Sequence, residues 1–277
     1  MTPGYQSLQI DVHDGAAVVT MARERVRNAF NESMIAELDA AFGELGADPG
    51  VRAIVLAGRG PVFCAGADLQ WMARMAGFSD EENRRDALQL ARMLRTICEC
   101  PKPTIARVHG DAYGGGLGLV AACDIAFAAA SATFCLSETR LGLIPATIGP
   151  HVVRAIGRRQ ALRYFQTAER FDSAEALRIG LVHAVTAAET LDARLREVLE
   201  ALSQTSGHAT REPAPGARRR RPAANRSVAG RHAERIAVVR ASDDGREGVR
   251  AFLQKRKPLW QTRTSSEPPT DNDDEEM

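Results

Sequence analysis

The chain has 277 residues, 44% of them hydrophobic and 26% charged, which is ordinary for a globular protein and too apolar for a disordered one. Its 36 basic and 35 acidic residues leave a formal net charge of +1, which argues against a dedicated nucleic-acid binder at the level of the whole chain. No apolar run approaches the ~20 residues needed to span a bilayer, and Met1 to Ile10 lacks a basic segment followed by an apolar run, so neither a membrane span nor a signal peptide is expected.

In chain order, Leu8, Ile10 and Val12 alternate with polar residues and Asp14-Gly15 precedes Ala16 to Thr20, which predicts a β-hairpin. Met34, Leu38, Phe42 and Leu45 recur at helical spacing, and Asp48-Pro49-Gly50 ends that helix. Val51 to Ala57 is a compact apolar strand, followed by a glycine-rich loop, Gly58 to Asp68, and a short helix from Leu69. A longer helix from Asp80 carries Leu90, Met93, Leu94 and Ile97 on its inner face, and Pro101 and Pro103 stop it. Thr104 to Val108 is the next strand, a second glycine-rich loop spans Gly110 to Gly118, and Asp124 to Ala130 is another strand. This repeated strand–loop–helix unit predicts an α/β fold with parallel pairing and functional loops at one sheet edge.

Beyond Pro150 the sequence is mostly helical: Ser173 to Gly180, Leu191 to Leu202, Ala233 to Arg240 and Asp244 to Lys257 read as helices, with a short strand at Leu181 to Val185. The near-zero net charge hides two opposed blocks. Arg211, Arg218, Arg219, Arg220, Arg221, Arg226 and Arg231 are opposed only by Glu212, and Glu267, Asp271, Asp273, Asp274, Glu275 and Glu276 have no base after Arg263. We expect a core over 1–190, a helical region over 191–260 with an anomalous Arg/Pro-rich stretch at 203–232, and a disordered acidic tail over 261–277. The anomalous stretch has the composition that an alternative frame of a G+C-rich gene would give, as two compensating frame shifts would produce. Its arginines would also suit a phosphate backbone, but no aromatic residues interleave for stacking, so nucleic acid is not the expected partner. Cys64, Cys98, Cys100, Cys123 and Cys135 are odd in number and form no C-x-x-C, so we expect buried free thiols in a reducing cytoplasm, with no metal site.

Two loops carry the chemistry: Phe63-Cys64-Ala65-Gly66-Ala67-Asp68, and Gly110-Asp111-Ala112-Tyr113-Gly114-Gly115-Gly116-Leu117-Gly118. Each follows a strand and precedes a helical segment, so each offers unpaired N–H groups at a helix N-terminus to an anion or a polarised carbonyl. Two such groups that converge make an oxyanion hole. Gly116-Leu117-Gly118-Leu119-Val120-Ala121 also fits a G-x-G-x-x-A dinucleotide fingerprint with Glu138 twenty residues beyond Gly118. An NAD-dependent enzyme is the weaker reading, because that motif normally opens the first βαβ unit and would leave the first loop unexplained.

The block Phe63 to Leu69, the Gly114-Gly115-Gly116 loop ending in Cys123-Asp124-Ile125, and Ser137-Glu138-Thr139-Arg140-Leu141-Gly142 resemble the enoyl-CoA hydratase/isomerase (crotonase) family in order and spacing. The resemblance runs over roughly Tyr5 to Leu202 and again over Ala233 to Trp260. Within the family, Ala67 to Met72 and Arg163 to Asp172 are similar to bacterial methylglutaconyl-CoA hydratases, and related carboxygeranoyl-CoA hydratases look alike. The resemblance implies a spiral of ββα units with a C-terminal helical trimerisation region, and a homotrimer or hexamer (a dimer of trimers). It implies an acyl-CoA thioester substrate and no separate cofactor, coenzyme A being part of the substrate. The thioester carbonyl would be held by the Ala67 and Gly115 amides, with Glu138 as the catalytic carboxyl. Arg25, Ala29, Ala65, Ala67, Asp68, Gly114 and Gly118 would line the thioester and CoA site, and Phe252 and Lys255 would meet a CoA, of this subunit or a neighbouring one.

The family's two-glutamate hydratases carry their first glutamate at the position of Gly118. Its absence raises an alternative, an enoyl-CoA delta-isomerase that shuttles a proton with one glutamate. For the hydratase reading, the incoming water would occupy the space vacated at Gly118, Asp111 and Tyr113 are candidate second proton donors, and Arg140 would hold the free carboxylate of a glutaconyl-type substrate. The expected activity is reversible addition of water to a 2-enoyl-CoA, such as 3-methylglutaconyl-CoA or a similar branched or carboxylated ester.

Overall fold

The computed structural model describes residues 4–205 and 226–262. Strand β1 (Leu8–His13) pairs antiparallel with β2 (Ala16–Met21), and Asp14 and Gly15 make the turn with φ of 51° and 78°. This is the hairpin predicted from Asp-Gly between alternating runs. From β2 onward the main sheet is parallel: β3 (Ala53–Gly58), β4 (Thr104–Val108), β6 (Ile125–Ala129) and β9 (Ala184–Thr186) follow in spatial order β1-β2-β3-β4-β6-β9. A second sheet of three short strands, β5 (Ala112–Tyr113), β7 (Thr133–Cys135) and β8 (Arg170–Asp172), stands beside it.

The helices form where the apolar period and the caps agree. Helix α1 (Glu32–Ala47) is capped by Asn31, whose side chain accepts from the Met34 amide, and it buries Met34, Leu38 and Phe42. Asp68 caps α2 (Leu69–Met75), and Ser79 with Glu82 closes a capping box on α3 (Asp80–Cys98). Then come α4 (Gly115–Ala122), α5 (Gly149–Thr167) with a kink at Gly157, α6 (Ser173–Arg178) and α7 (Leu191–Ser203). The C-terminal helices are α8 (Arg226–Ala241), α9 (Asp243–Leu253) and α10 (Leu259–Thr262). Side chains from α1, β3 and α3, including Leu38, Phe42, Ile54, Leu56, Leu94 and Ile97, share one core, each contributing roughly 1.5–3 kcal/mol by burial.

Three differences from the sequence reading matter for the site. The second glycine loop is shorter than predicted, because α4 already starts at Gly115 and holds Gly116 and Gly118. Glycine is required there for close packing: a Cβ on Gly116 would lie 2.8 Å from the Cys64 side chain. The helix expected from Ala233 begins at Arg226, within the anomalous stretch; residues 206–225 of that stretch, with Arg218 to Arg221, lie outside the described residues, as do 263–277 of the acidic tail. Helix α9 ends at Leu253 and leaves Lys255 in left-handed backbone, so the predicted helix to Lys257 stops early. Helix α8 packs on α3, where Ile236 meets Ala87, and so brings the C-terminal region back over the first half of the chain.

Candidate active site

The two glycine-rich loops meet across the ends of β3 and β4. The Phe30 amide donates to the Gly66 carbonyl and the Asp68 amide to the Phe30 carbonyl, which fixes the first loop; the Tyr113 amide donates to the Cys64 carbonyl, which ties the second loop to it. Asn28, fully buried, donates to the Arg59 and Val62 carbonyls and accepts from the Arg23 amide, bracing the base of the first loop. Gly66 has φ of 90°, and a Cβ there would lie 2.8 Å from the Tyr113 carbonyl and 3.7 Å from the Gly115 nitrogen. Gly115 in turn lies at the tip of the Phe30 ring, where a Cβ would overlap Cζ. Only glycine allows this approach.

The consequence is a pair of amides, Ala67 and Gly115, neither of which donates a backbone hydrogen bond among the described residues. The Gly115 amide is at the N-terminus of α4, where the helix dipole adds partial positive charge. Both residues line a cavity of about 710 Å³, together with Ala29, Ala65, Gly114 and Glu138.

Glu138 lies over the second loop, its Oε1 3.4 Å from where a Cβ on Gly114 would sit. Its Oε2 is buried and has no hydrogen-bond partner. Burial in this apolar setting pushes its pKa up to about 7, only partly offset by its own backbone amide. Asp68 is the other carboxylate on the wall, but its oxygens are engaged: it accepts from the Gln70 and Trp71 amides at 2.8 and 3.2 Å and pairs with Arg23 at 3.0 Å. Asp68 therefore stiffens the first loop, and Glu138 is the carboxyl left for chemistry. Among the described residues no group of His, Cys, Asp and Glu side chains is arranged to hold a metal. The cysteines are free, and all but the half-buried Cys98 are buried.

Four sequence expectations are corrected. Gly118 does not line the cavity: it is buried in α4, and a Cβ on it would overlap the Ile148 side chain. The space imagined for water at Gly118 is filled by Ile148. Asp111 and Tyr113 are not on the cavity wall; the Tyr113 hydroxyl donates to Asp111 at 3.0 Å and bonds with Thr133 at 2.7 Å. Arg140 is exposed and outside the lining, because Glu138–Leu141 form a 3-10 turn rather than extended backbone, and residues two apart on such a turn face different ways. Lys255 is exposed, beyond the end of α9, and does not line its own chain's cavity, so contact with this subunit's CoA is excluded while contact with a neighbouring subunit's CoA stays an expectation.

The remaining expected residues line the wall: exposed Arg25 at one part and Phe252, from the C-terminal region of the same chain, at another. Sequence reasoning missed Arg23, Arg27, Leu90, Ile236 and Arg240, which also line the wall. Arg23 stands 40 residues before Phe63 and meets the first loop only through its pair with Asp68, so it carried no local signal. Arg240 carried none, since it comes from a helix remote in sequence. The dinucleotide reading of Gly116 to Ala121 fails sterically: Gly116 packs on Cys64 and Gly118 under Ile148, so neither backbone is open to a pyrophosphate.

The comparisons with known proteins agree with this geometry. Residues 11–263 match the family model described as enoyl-CoA hydratase/isomerase. An enoyl-CoA hydratase from Shewanella pealeana of solved structure is 36% identical, with 93% of this chain and 97% of that one covered at a TM-score of 0.73. An enoyl-CoA hydratase from Mycobacterium avium is 32% identical, with coverage of 92% and 99% and a TM-score of 0.78. Enoyl-CoA hydratase ACTT6 of Alternaria alternata is 36% identical over 212 residues, 75% of this chain and 67% of the fungal one. The chain belongs to the enoyl-CoA hydratase/isomerase family and has the crotonase fold. It is an enzyme of that lyase family.

Proposed function

We propose that this enzyme adds water reversibly across the double bond of a 2-enoyl-CoA, with 3-methylglutaconyl-CoA or a similar branched or carboxylated thioester as substrate. The observation that carries the reading is the Glu138 carboxyl, with its Oε2 buried and unpartnered, on the same cavity wall as the Ala67 and Gly115 amides. The two N–H groups hold the thioester oxygen. The Glu138 carboxylate takes a proton from water as the oxygen attacks Cβ, and the electron pair of the double bond moves through Cα onto the thioester oxygen. The enolate then collapses, and the Glu138 carboxyl returns a proton to Cα, regenerating its carboxylate. One carboxyl thus serves both transfers, which suits a pKa near neutrality. The exposed guanidinium of Arg25, with Arg27 beside it on the wall, is placed to receive CoA phosphates.

A second reading, an enoyl-CoA delta-isomerase, is favoured by one observation: Ile148 leaves no room for a second carboxylate at Gly118. A trimer or a dimer of trimers is part of the proposal, supported by the exposed apolar side chains of Leu162, Leu177, Val238 and Leu259. The deciding experiment is a substrate panel of 3-methylglutaconyl-CoA, crotonyl-CoA and a 3-enoyl-CoA, each followed for water addition and for double-bond migration. Hydration of the first supports the hydratase. Migration in the third without hydration of the others selects the isomerase.

A further inference from the structure

Much of the cavity lining is apolar, with Met72, Met75, Leu90, Leu143, Ile144 and Ile236 contributing, and beside Ile236 on α8 it takes in the guanidinium-bearing Arg240. Arg240 is nearly buried, its side chain 11% exposed. Its Nη1 pairs with Asp86 Oδ2 at 2.8 Å, and the other Asp86 oxygen accepts from Trp71 Nε1 at 3.0 Å. The guanidinium carbon lies 5.9 Å from the centre of the Trp71 ring. Asp86 itself is not on the cavity wall, so it holds the arginine from behind. Arg240 Nε is buried and has no hydrogen-bond partner.

Arg240 lines the cavity and, among the described residues, makes its side-chain hydrogen bond through Nη1 alone, which leaves Nη2 for a group in the cavity. A plain hydrocarbon tail lying here would keep that donor unsatisfied, which is costly in an apolar site. An oxygen acceptor at the far end of the acyl group removes the cost, and a carboxylate also uses the guanidinium charge. Arg240 cannot be neutralised by losing its proton, so the pocket keeps this demand at any working pH. Trp71 and Asp86 lock its orientation, which makes the donor preorganised rather than adaptive.

We propose that Arg240, held by Asp86 and Trp71, is the specificity residue that selects acyl-CoA substrates bearing a distal carboxylate. The assignment rests on the acyl-CoA reading of the cavity and gives to Arg240 the role that the sequence pattern suggested for Arg140.

The test uses binding rather than turnover, so that it stands apart from the hydration reaction. Glutaryl-CoA and pentanoyl-CoA, a saturated pair differing in the terminal carboxylate, are titrated by calorimetry into the full-length protein, into Arg240→Met, and into the double variant Arg240→Met/Asp86→Asn. The double variant avoids an unpaired buried aspartate if the single one folds poorly. The wild type should prefer glutaryl-CoA by on the order of ten- to a hundredfold, the worth of one charged hydrogen bond. Both variants should bring the ratio to about one, with Arg240→Lys intermediate because it keeps the charge and loses the fork. No preference in the wild type, or the same preference in the variants, overturns the role of Arg240 and leaves the hydratase reading standing. Failure of both esters to bind the wild type overturns the acyl-CoA reading of the cavity itself.

Discussion

The two ends of the cavity are built in different ways. In the proposed mechanism the reacting end is two backbone amides and one side-chain carboxyl, that of Glu138, within residues 63–141, with glycines chosen by how closely Phe30, Tyr113 and Cys64 approach. The proposed acyl end is made of side chains from segments far apart in sequence, Trp71, Met72 and Met75 on α2, Leu90 on α3, and Ile236 and Arg240 on α8. Backbone chemistry is insensitive to most side-chain changes and fragile only at its glycines. Side-chain chemistry can be retuned without disturbing the reacting atoms. In the proposed mechanism the difference separates what sets the rate from what sets the substrate.

Substitutions at the reacting end should have the largest effects. Glu138→Gln removes the proton carrier and should lower hydration by roughly 10²–10⁴, while equilibrium titration shows CoA-ester binding retained. Gly115→Ala drives a methyl into the Phe30 ring and moves one amide of the pair; kcat should fall by about 10²–10³, with a smaller change in KM. Gly118→Glu, which restores the two-carboxylate pattern on paper, collides with Ile148 and should not speed hydration. It should instead lower stability by about 1–3 kcal/mol in chemical denaturation. At the edge of the site, Arg25→Ala should raise KM by less than about tenfold and leave kcat near its starting value, since an exposed base contributes little beyond ~1 kcal/mol.

The pH dependence follows from Glu138. Its pKa is raised to about 7, and the reacting form is the carboxylate, so kcat/KM should rise with pH and level off above neutrality. For stability the sign is opposite. The folded state keeps a proton that the unfolded chain releases in the ordinary carboxylate range, so this group's contribution declines as pH rises from there through about 7. Denaturation of Glu138→Gln across that window should show this part of the slope removed.

Much of the reacting end was legible in the sequence because its signals are local. Asp14-Gly15, the α1 stripe and the strand–glycine–helix succession each announce their own geometry, and the residues that the family resemblance supplied, Ala67, Gly115 and Glu138, meet on one cavity wall. Gly118 and Arg140 show where local reading stops. Gly118 looked like vacated space, yet Ile148, thirty residues on, fills it. Arg140 looked aligned with Glu138 only if the backbone were extended, and a 3-10 turn rotates it away. Arg240 was invisible for the same reason: its place depends on α8 packing against α3, a long-range contact with no local pattern.

The central claim is that one carboxyl, Glu138, moves the proton at Cα of a thioester held by Ala67 and Gly115. Its most direct measurement is deuterium uptake at Cα of a saturated acyl-CoA in D₂O, followed by NMR with the wild type and Glu138→Gln. The account predicts exchange by the wild type and loss of it in Glu138→Gln, with the ester still bound. Equal exchange by both proteins would contradict it.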